Sequence, residues 1–142
     1  MTKEEYLEYV DNFNNKRYDR VTSWFTPDIT VEYFSDLANP LTATPMTLHG
    51  PDEFIASYEN VHSHVRELME LGFFIEKDNC LVVELYTEFH CIKDFPQFIT
   101  GPVKVGDVRI MTNWVVYDME GGKMKRIRIA HFRMHDAKLA RL

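Results

Sequence analysis

The chain has 142 residues, 45% of them hydrophobic and 13% aromatic, with a formal net charge of −6. That is the length of one ordinary domain with apolar residues enough for one core, and its acidic balance lacks the basic stripe that nucleic-acid binding requires. The most basic stretch, Lys123 to Arg128 (KMKRIR), alternates with apolar residues and reads as a strand with one solvated face.

Targeting and redox features are equally plain. No stretch approaches the roughly 20 apolar residues of a membrane span. The opening Thr2-Lys3-Glu4-Glu5 has no apolar core of the kind a signal peptide carries. Cys80 and Cys91 fall on one predicted strand, too far apart for a disulfide, which needs Cα atoms within about 7 Å. Free thiols suit a reducing compartment. A soluble, cytoplasmic protein with no membrane or nucleic-acid partner is expected.

In chain order, Thr2-x-x-Glu5 is a capping-box pattern, and Tyr6, Val10 and Phe13 follow at helical spacing. A second short helix is predicted over Tyr18 to Phe25, stopped by Pro27-Asp28. Residues 29 to 34 alternate as a strand, and Ala38 to Thr47 reads as a loop. Gly50-Pro51-Asp52-Glu53 opens a long helix, with proline in the first turn and acids against the dipole. Its predicted stripe is Phe54, Tyr58, Val61, Val65 and Leu68, and Gly72 is expected to end it.

Strands follow at Phe73 to Glu76, Leu81 to Cys91, Val103 to Asp118 and Met124 to Met134, with Gly121-Gly122 as a hairpin turn. The order predicts an α+β fold over residues 1–142, one curved antiparallel sheet with helices on one face. Met111, Val115, Tyr117, Ile127 and Ile129 fall on the face that packs under the helices. Val108, Ile110, Trp114, Val116, Ala130, Phe132 and Met134 fall on the other. An apolar outer face of that extent is uncommon on a monomer, so a homodimer through it is expected.

With these elements placed, the chain resembles the SnoaL-like branch of the nuclear-transport-factor-2-like superfamily over nearly its whole length. The resemblance rests on the element order and on three segments: YDRVTSWFTPDITVEYF, LHGPDEFIASY and VVYDMEGGKMKRIRI. It implies a cone-shaped sheet with helices on its concave face and a pocket at the mouth. Cofactor-free isomerases, dehydratases, cyclases and epoxide hydrolases share that fold with plain binding modules, so fold does not give function.

The scytalone-dehydratase type is similar at Tyr18-Asp19-Arg20. The likeness implies a pocket tyrosine at Tyr33, a pocket asparagine at Asn113 and a catalytic histidine near His90. It departs at Asn14, where that type has an aspartate, and near Leu68 or Met69, where it has a second histidine. The limonene-epoxide-hydrolase type fits less well, because Arg109-x-Met111 and Ile129 stand where it has Arg-x-Asp and Asp.

The residues themselves carry candidates. Asn113 interrupts an apolar strand face, and its amide can orient a carbonyl or hydroxyl, or else bridge to the first helix. Tyr33 faces inward with Ile29 and Val31, as an acid or a core tyrosine. His131 shares the inward parity of Ile127 and Ile129 and can move a proton near neutral pH, or be a satisfied histidine at the sheet end. His90 falls outward by strict alternation and inward only with a bulge. Phe13, Phe54, Tyr58, Phe89 and Met111 supply apolar walls. Asn14 and His62 border the pocket, and Arg109 can reach its mouth or pair with Asp107 on the surface.

His62-x-His64 on a helix points its rings apart, so no metal site is expected, nor any cofactor. The expected activity is that of a cofactor-independent isomerase, cyclase or dehydratase. It would act on an apolar polycyclic or polyketide-like molecule in natural-product biosynthesis. The alternative is a non-catalytic dimeric ligand-binding or adaptor module.

Overall fold

A computed structural model of the chain describes residues 1–34 and 46–142. Helix α1 (Lys3–Asn14) starts at the expected capping box: Thr2 Oγ1 accepts from the Glu5 amide at 3.2 Å, and the Glu5 carboxylate accepts from the Thr2 amide at 2.7 Å. Tyr6, Tyr9, Val10 and Phe13 are its buried stripe. Helix α2 (Tyr18–Thr22) is shorter than expected, because strand β1 (Phe25–Phe34) begins before Pro27. Pairing of β1 with β6 skips from Phe25 to Thr30, so the missing proline N–H breaks no ladder bond there.

Strand β2 (Met46–His49) leads into α3 (Gly50–His62), followed by β3 (Val65–Lys77), β4 (Cys80–Cys91), β5 (Val108–Glu120) and β6 (Lys123–His135). A 3-10 turn over Ala137–Leu139 folds back against β5. The loop expected at 38–47 lies outside the described residues except for Met46 and Thr47, which open β2.

The six strands form one curved sheet in the order β2-β1-β6-β5-β4-β3. All pairings are antiparallel except β1 with β6, which is parallel, so the sheet is mixed rather than purely antiparallel. The α+β cone is as expected: α1 packs on β3, and α3 packs on β1. Cys80 and Cys91 lie at opposite ends of β4 and are free.

The largest departure concerns α3. It stops at His62, and Val65 to Lys77 is strand, where a helix running to Gly72 was predicted. Val61, Val65 and Leu68 satisfy helical spacing, but Val65, Glu67 and Met69 equally satisfy a period of two. Pairing with β4 from Val65↔Cys91 onward decides for the strand. Gly72 is therefore no helix stop. It sits where the β3–β4 register shifts, and a Cβ there would meet Glu84 Oε1 at 2.9 Å and the Glu84 carbonyl at 3.3 Å.

The principal core gathers α1, α3 and the inner faces of β1, β4, β5 and β6. A second cluster of Val65, Phe89, Cys91, Phe95, Phe98, Val103 and Met111 closes the end of the cone nearest the 95–103 segment, which a Phe95↔Val103 bridge pins together. Among the described residues, no helix is long and apolar enough to cross a membrane.

Candidate functional site

Between the helices and the concave sheet lies a cavity of about 310 Å³, within the range of small-molecule sites. Its walls are aromatic: Phe13 from α1, Phe54 and Tyr58 from α3, Phe89 from β4, and Phe95 and Phe98 from the segment after β4. Polar groups enter from five strands: Tyr33 on β1, Glu67 on β3, Thr87 on β4, Asn113 on β5 and His131 on β6.

The polar groups are unevenly satisfied. Tyr33 donates its hydroxyl to Tyr58 at 2.9 Å, so the Tyr58 hydrogen has no described acceptor and is available to a ligand oxygen. Burial pushes both phenols well above the ordinary tyrosine range, which keeps them as neutral donors. Asn113 donates to Thr87 Oγ1 at 3.0 Å, while its Oδ1 is buried without a partner. An orphaned amide oxygen of this kind costs about 1–3 kcal/mol, which a ligand donor would recover. His131 is the cross-strand partner of Asn113, beside a register shift in β5–β6, and burial lowers its imidazole below the ordinary value.

Neither a protein-family model nor a curated protein sequence matches the chain. Solved structures do match. An NTF2-like protein of unknown function from Burkholderia pseudomallei has 18% identity and a TM-score of 0.69, covering 93% of this chain and 92% of its own. A proposed polyketide cyclase from Pseudomonas putida has 14% identity and a TM-score of 0.73, covering 94% and 92%. A proposed ketosteroid isomerase from Kribbella flavida has 10% identity and a TM-score of 0.65, covering 94% and 79%. The fold is that of the nuclear-transport-factor-2-like proteins. Identities this low speak to fold alone.

Within this nuclear-transport-factor-2-like cone, Tyr33, Asn113 and His131 border the cavity with Phe13, Phe54, Tyr58 and Phe89. Asn113 does not bridge to the first helix; its amide reaches Thr87 on the neighbouring strand. The bridging amide is Asn14 instead, which donates to the Met69 carbonyl at 2.9 Å and accepts from the Met69 amide at 2.8 Å. Asn14 therefore fastens α1 to β3 and does not border the cavity.

Four further expectations are corrected. His90 points away from the cavity, because β4 pairs with β5 without a bulge, and its Nε2–H donates to Glu88 Oε2 at 2.7 Å. Met111 is fully buried in the second cluster rather than in the wall. Arg109 is half-buried beside Phe89, makes no ion pair with Asp107 among the described residues, and does not border the cavity. His62 sits behind the wall: Nδ1 meets the Tyr18 hydroxyl at 2.6 Å and Nε2 meets Glu67 Oε2 at 3.1 Å.

Glu67 and Thr87 escaped the sequence reading. Glu67 was assigned to a helix, where its face is undefined; as a strand residue between Val65 and Met69 it is a polar interruption of an inward face. Thr87 carries the same signal between Leu85 and Phe89. No group of three or more His, Cys, Asp or Glu among the described residues is arranged to hold a metal ion.

Proposed function

We propose that the protein is a cofactor-independent isomerase, cyclase or dehydratase acting on an apolar polycyclic or polyketide-like small molecule, in natural-product biosynthesis. The observation that carries this reading is an aromatic cavity into which hydrogen-bonding groups are presented with capacity to spare, at Tyr58 and Asn113. The polyketide cyclase and ketosteroid isomerase among the structural neighbours support it. Tyr33 polarises Tyr58, whose free hydroxyl hydrogen supports negative charge developing on a substrate oxygen, while the unpartnered Asn113 Oδ1 accepts from a substrate hydroxyl. His131, neutral in its buried setting, exchanges a proton with the bound molecule. Phe13, Phe54 and Phe89 orient the substrate.

The test is a panel of bicyclic and tricyclic ketones and phenols, followed for conversion by mass spectrometry and NMR. Conversion that falls at least tenfold in Tyr58→Phe and Asn113→Ala, with unchanged melting temperature, supports the enzyme. Tight binding without conversion across the panel would make the protein a binding module.

A homodimer through the outer sheet face belongs to the same reading. Phe34, Ala130 and Trp114 lie in one cross-strand row, and the Trp114 ring stacks on Phe132 at 4.1 Å. Trp114 and Phe132 are 42% and 53% exposed. Arg126–Glu32 and Arg128–Asp118 pairs flank the row, and Glu84 beside Trp114 accepts from the indole Nε1 at 2.8 Å. An apolar centre flanked by internally paired polar groups suits a second copy of the same face. Light scattering on Phe132→Glu should give a monomer where the wild type gives a dimer; a monomeric wild type at high micromolar concentration removes the proposal.

A further inference from the structure

We infer that Glu67 is the general base of the cavity, that His62 and Tyr18 are positioning residues holding it, and that the substrate is a neutral carbonyl compound with an acidic C–H beside the carbonyl. The inference rests on the reading of the cavity as a small-molecule enzyme site and narrows it.

The three residues form one chain running from α2 to the cavity wall. Tyr18 on α2 meets His62 Nδ1, and His62 at the end of α3 meets Glu67 Oε2 on β3. His62 is 5% exposed and Glu67 6%. The imidazole is gripped by rings on three sides, with centroids of Phe13, Tyr58 and Tyr18 at 5.4, 5.5 and 5.9 Å. One tautomer satisfies every partner at once. The Tyr18 hydroxyl donates to Nδ1, Nε2–H donates to the Glu67 carboxylate, and both nitrogens of a neutral ring are used. This leaves Glu67 as an acceptor held by one oxygen. Its other oxygen, Oε1, has no hydrogen-bond partner among the described residues, and the residue borders the cavity.

The surroundings select the substrate. Besides the His62 imidazole of α3, the groups facing Glu67 from other elements are phenols: Tyr9 from α1, Tyr33 from β1, Tyr58 from α3 and Tyr18 from α2. No lysine or arginine borders the cavity among the described residues. A carboxylate substrate would meet Glu67 with no compensating cation, whereas a neutral carbonyl compound would not. The donor for its oxygen is the Tyr58 hydroxyl, and the unpartnered Asn113 Oδ1 accepts from a hydroxyl elsewhere on the molecule.

The step balances without a redox partner. Glu67 Oε1 takes the proton from the carbon next to the carbonyl. The C–H electron pair becomes the enolate C=C bond, and the carbonyl π pair moves to oxygen. Where the substrate carries a C=C bond β,γ to the carbonyl, the enolate is a dienolate; return of the proton to the γ-carbon shifts that double bond into conjugation and re-forms the carbonyl, which gives the isomer. Alternatively, the enolate carbon attacks a second carbonyl and the resulting alkoxide takes the proton, which closes a ring.

The probe is 2-tetralone in heavy water, with hydrogen–deuterium exchange at the α-carbons followed by proton NMR and binding followed by shift changes in the protein. Wild type should exchange the bound ketone faster than acetate at equal concentration, and Glu67→Gln should lose at least a hundredfold. His62→Leu should lose about tenfold, and His62→Gln, which keeps a donor to Glu67, should recover to within about threefold of wild type; a purely structural histidine would show no such recovery per folded molecule. If Glu67→Gln does not fold, Glu67→Asp decides, because its retracted carboxylate should cost at least tenfold with the ketone still bound. Binding with wild-type exchange in the Glu67 variants overturns the base assignment and leaves the wider enzyme reading standing. Failure of wild type to bind the ketone at millimolar concentration overturns both.

Discussion

Two buried glutamates, each joined to a histidine, sit on opposite faces of this sheet. Glu88 on β4 faces outward and is 0% exposed, yet both of its oxygens are used. Oε1 accepts from the Tyr86 hydroxyl and from the Arg141 and Leu142 amides, at 2.8, 2.6 and 3.2 Å, and Oε2 meets His90 at 2.7 Å. Burial alone would raise this carboxyl, but the hydrogen bonds from Arg141, Tyr86, His90 and Leu142 outweigh it and hold it below the ordinary value. Glu67 on the inner face has one described partner and a cavity in front of it. Burial does not distinguish these two carboxylates; their hydrogen-bond partners do, both oxygens being used on Glu88 and Oε1 being left over on Glu67 among the described residues.

The largest loss of stability is expected on the outer face. Glu88→Ala strips the C-terminal segment of its anchor and should cost on the order of 3 kcal/mol by denaturant unfolding, with cavity chemistry per folded molecule unchanged. A loss of chemistry with unchanged stability would reverse the roles assigned to the two faces. Next is Asn14→Leu, which removes both hydrogen bonds to Met69 and should cost about 2 kcal/mol. Asn113→Ala should cost less than about 1 kcal/mol, since it removes an orphaned oxygen along with one hydrogen bond.

The smallest effects are in pH. Because the folded Glu88 carboxyl lies below its unfolded value of 4.5, its contribution is full above that value and fades as pH falls through the folded one. The stability gap between wild type and Glu88→Gln should therefore narrow as pH falls below 4.5. His131 is lowered from 6.5 by burial, so the unfolded chain binds its proton first as pH falls. Stability should decline below pH 6.5, and a His131→Phe variant should show a flatter profile in thermal melts.

Much of the fold was legible because local and global signals agree where the chain is regular. The Thr2–Glu5 box, the proline at the start of α3 and the positive-φ pair Gly121-Gly122 each mark a boundary that the tertiary structure keeps. Parity along β5 and β6 put Asn113 and His131 on the inner face, and both border the cavity. The reading failed where two periods coincide. Val61, Val65 and Leu68 fit a helix, and no residue before Gly72 forbids one. The strand is imposed by β4, a partner about 25 residues away in sequence, as Val65↔Cys91 shows. That one misassignment hid Glu67 and left His62 without its partner. Ile110, expected on the bare outer face, is buried where the 3-10 turn returns to β5, a long-range contact that strand alternation does not encode.

Asn14 has a consequence beyond fastening a helix. Strand β3 is the last of the sheet, so its outer N–H and C=O groups form an open template on which another chain can add a strand. By taking both the N–H and the C=O of Met69, the Asn14 amide imitates the peptide group of that missing neighbour. One side chain on the first helix thus occupies, at Met69, the same pair of bonds an added strand would use.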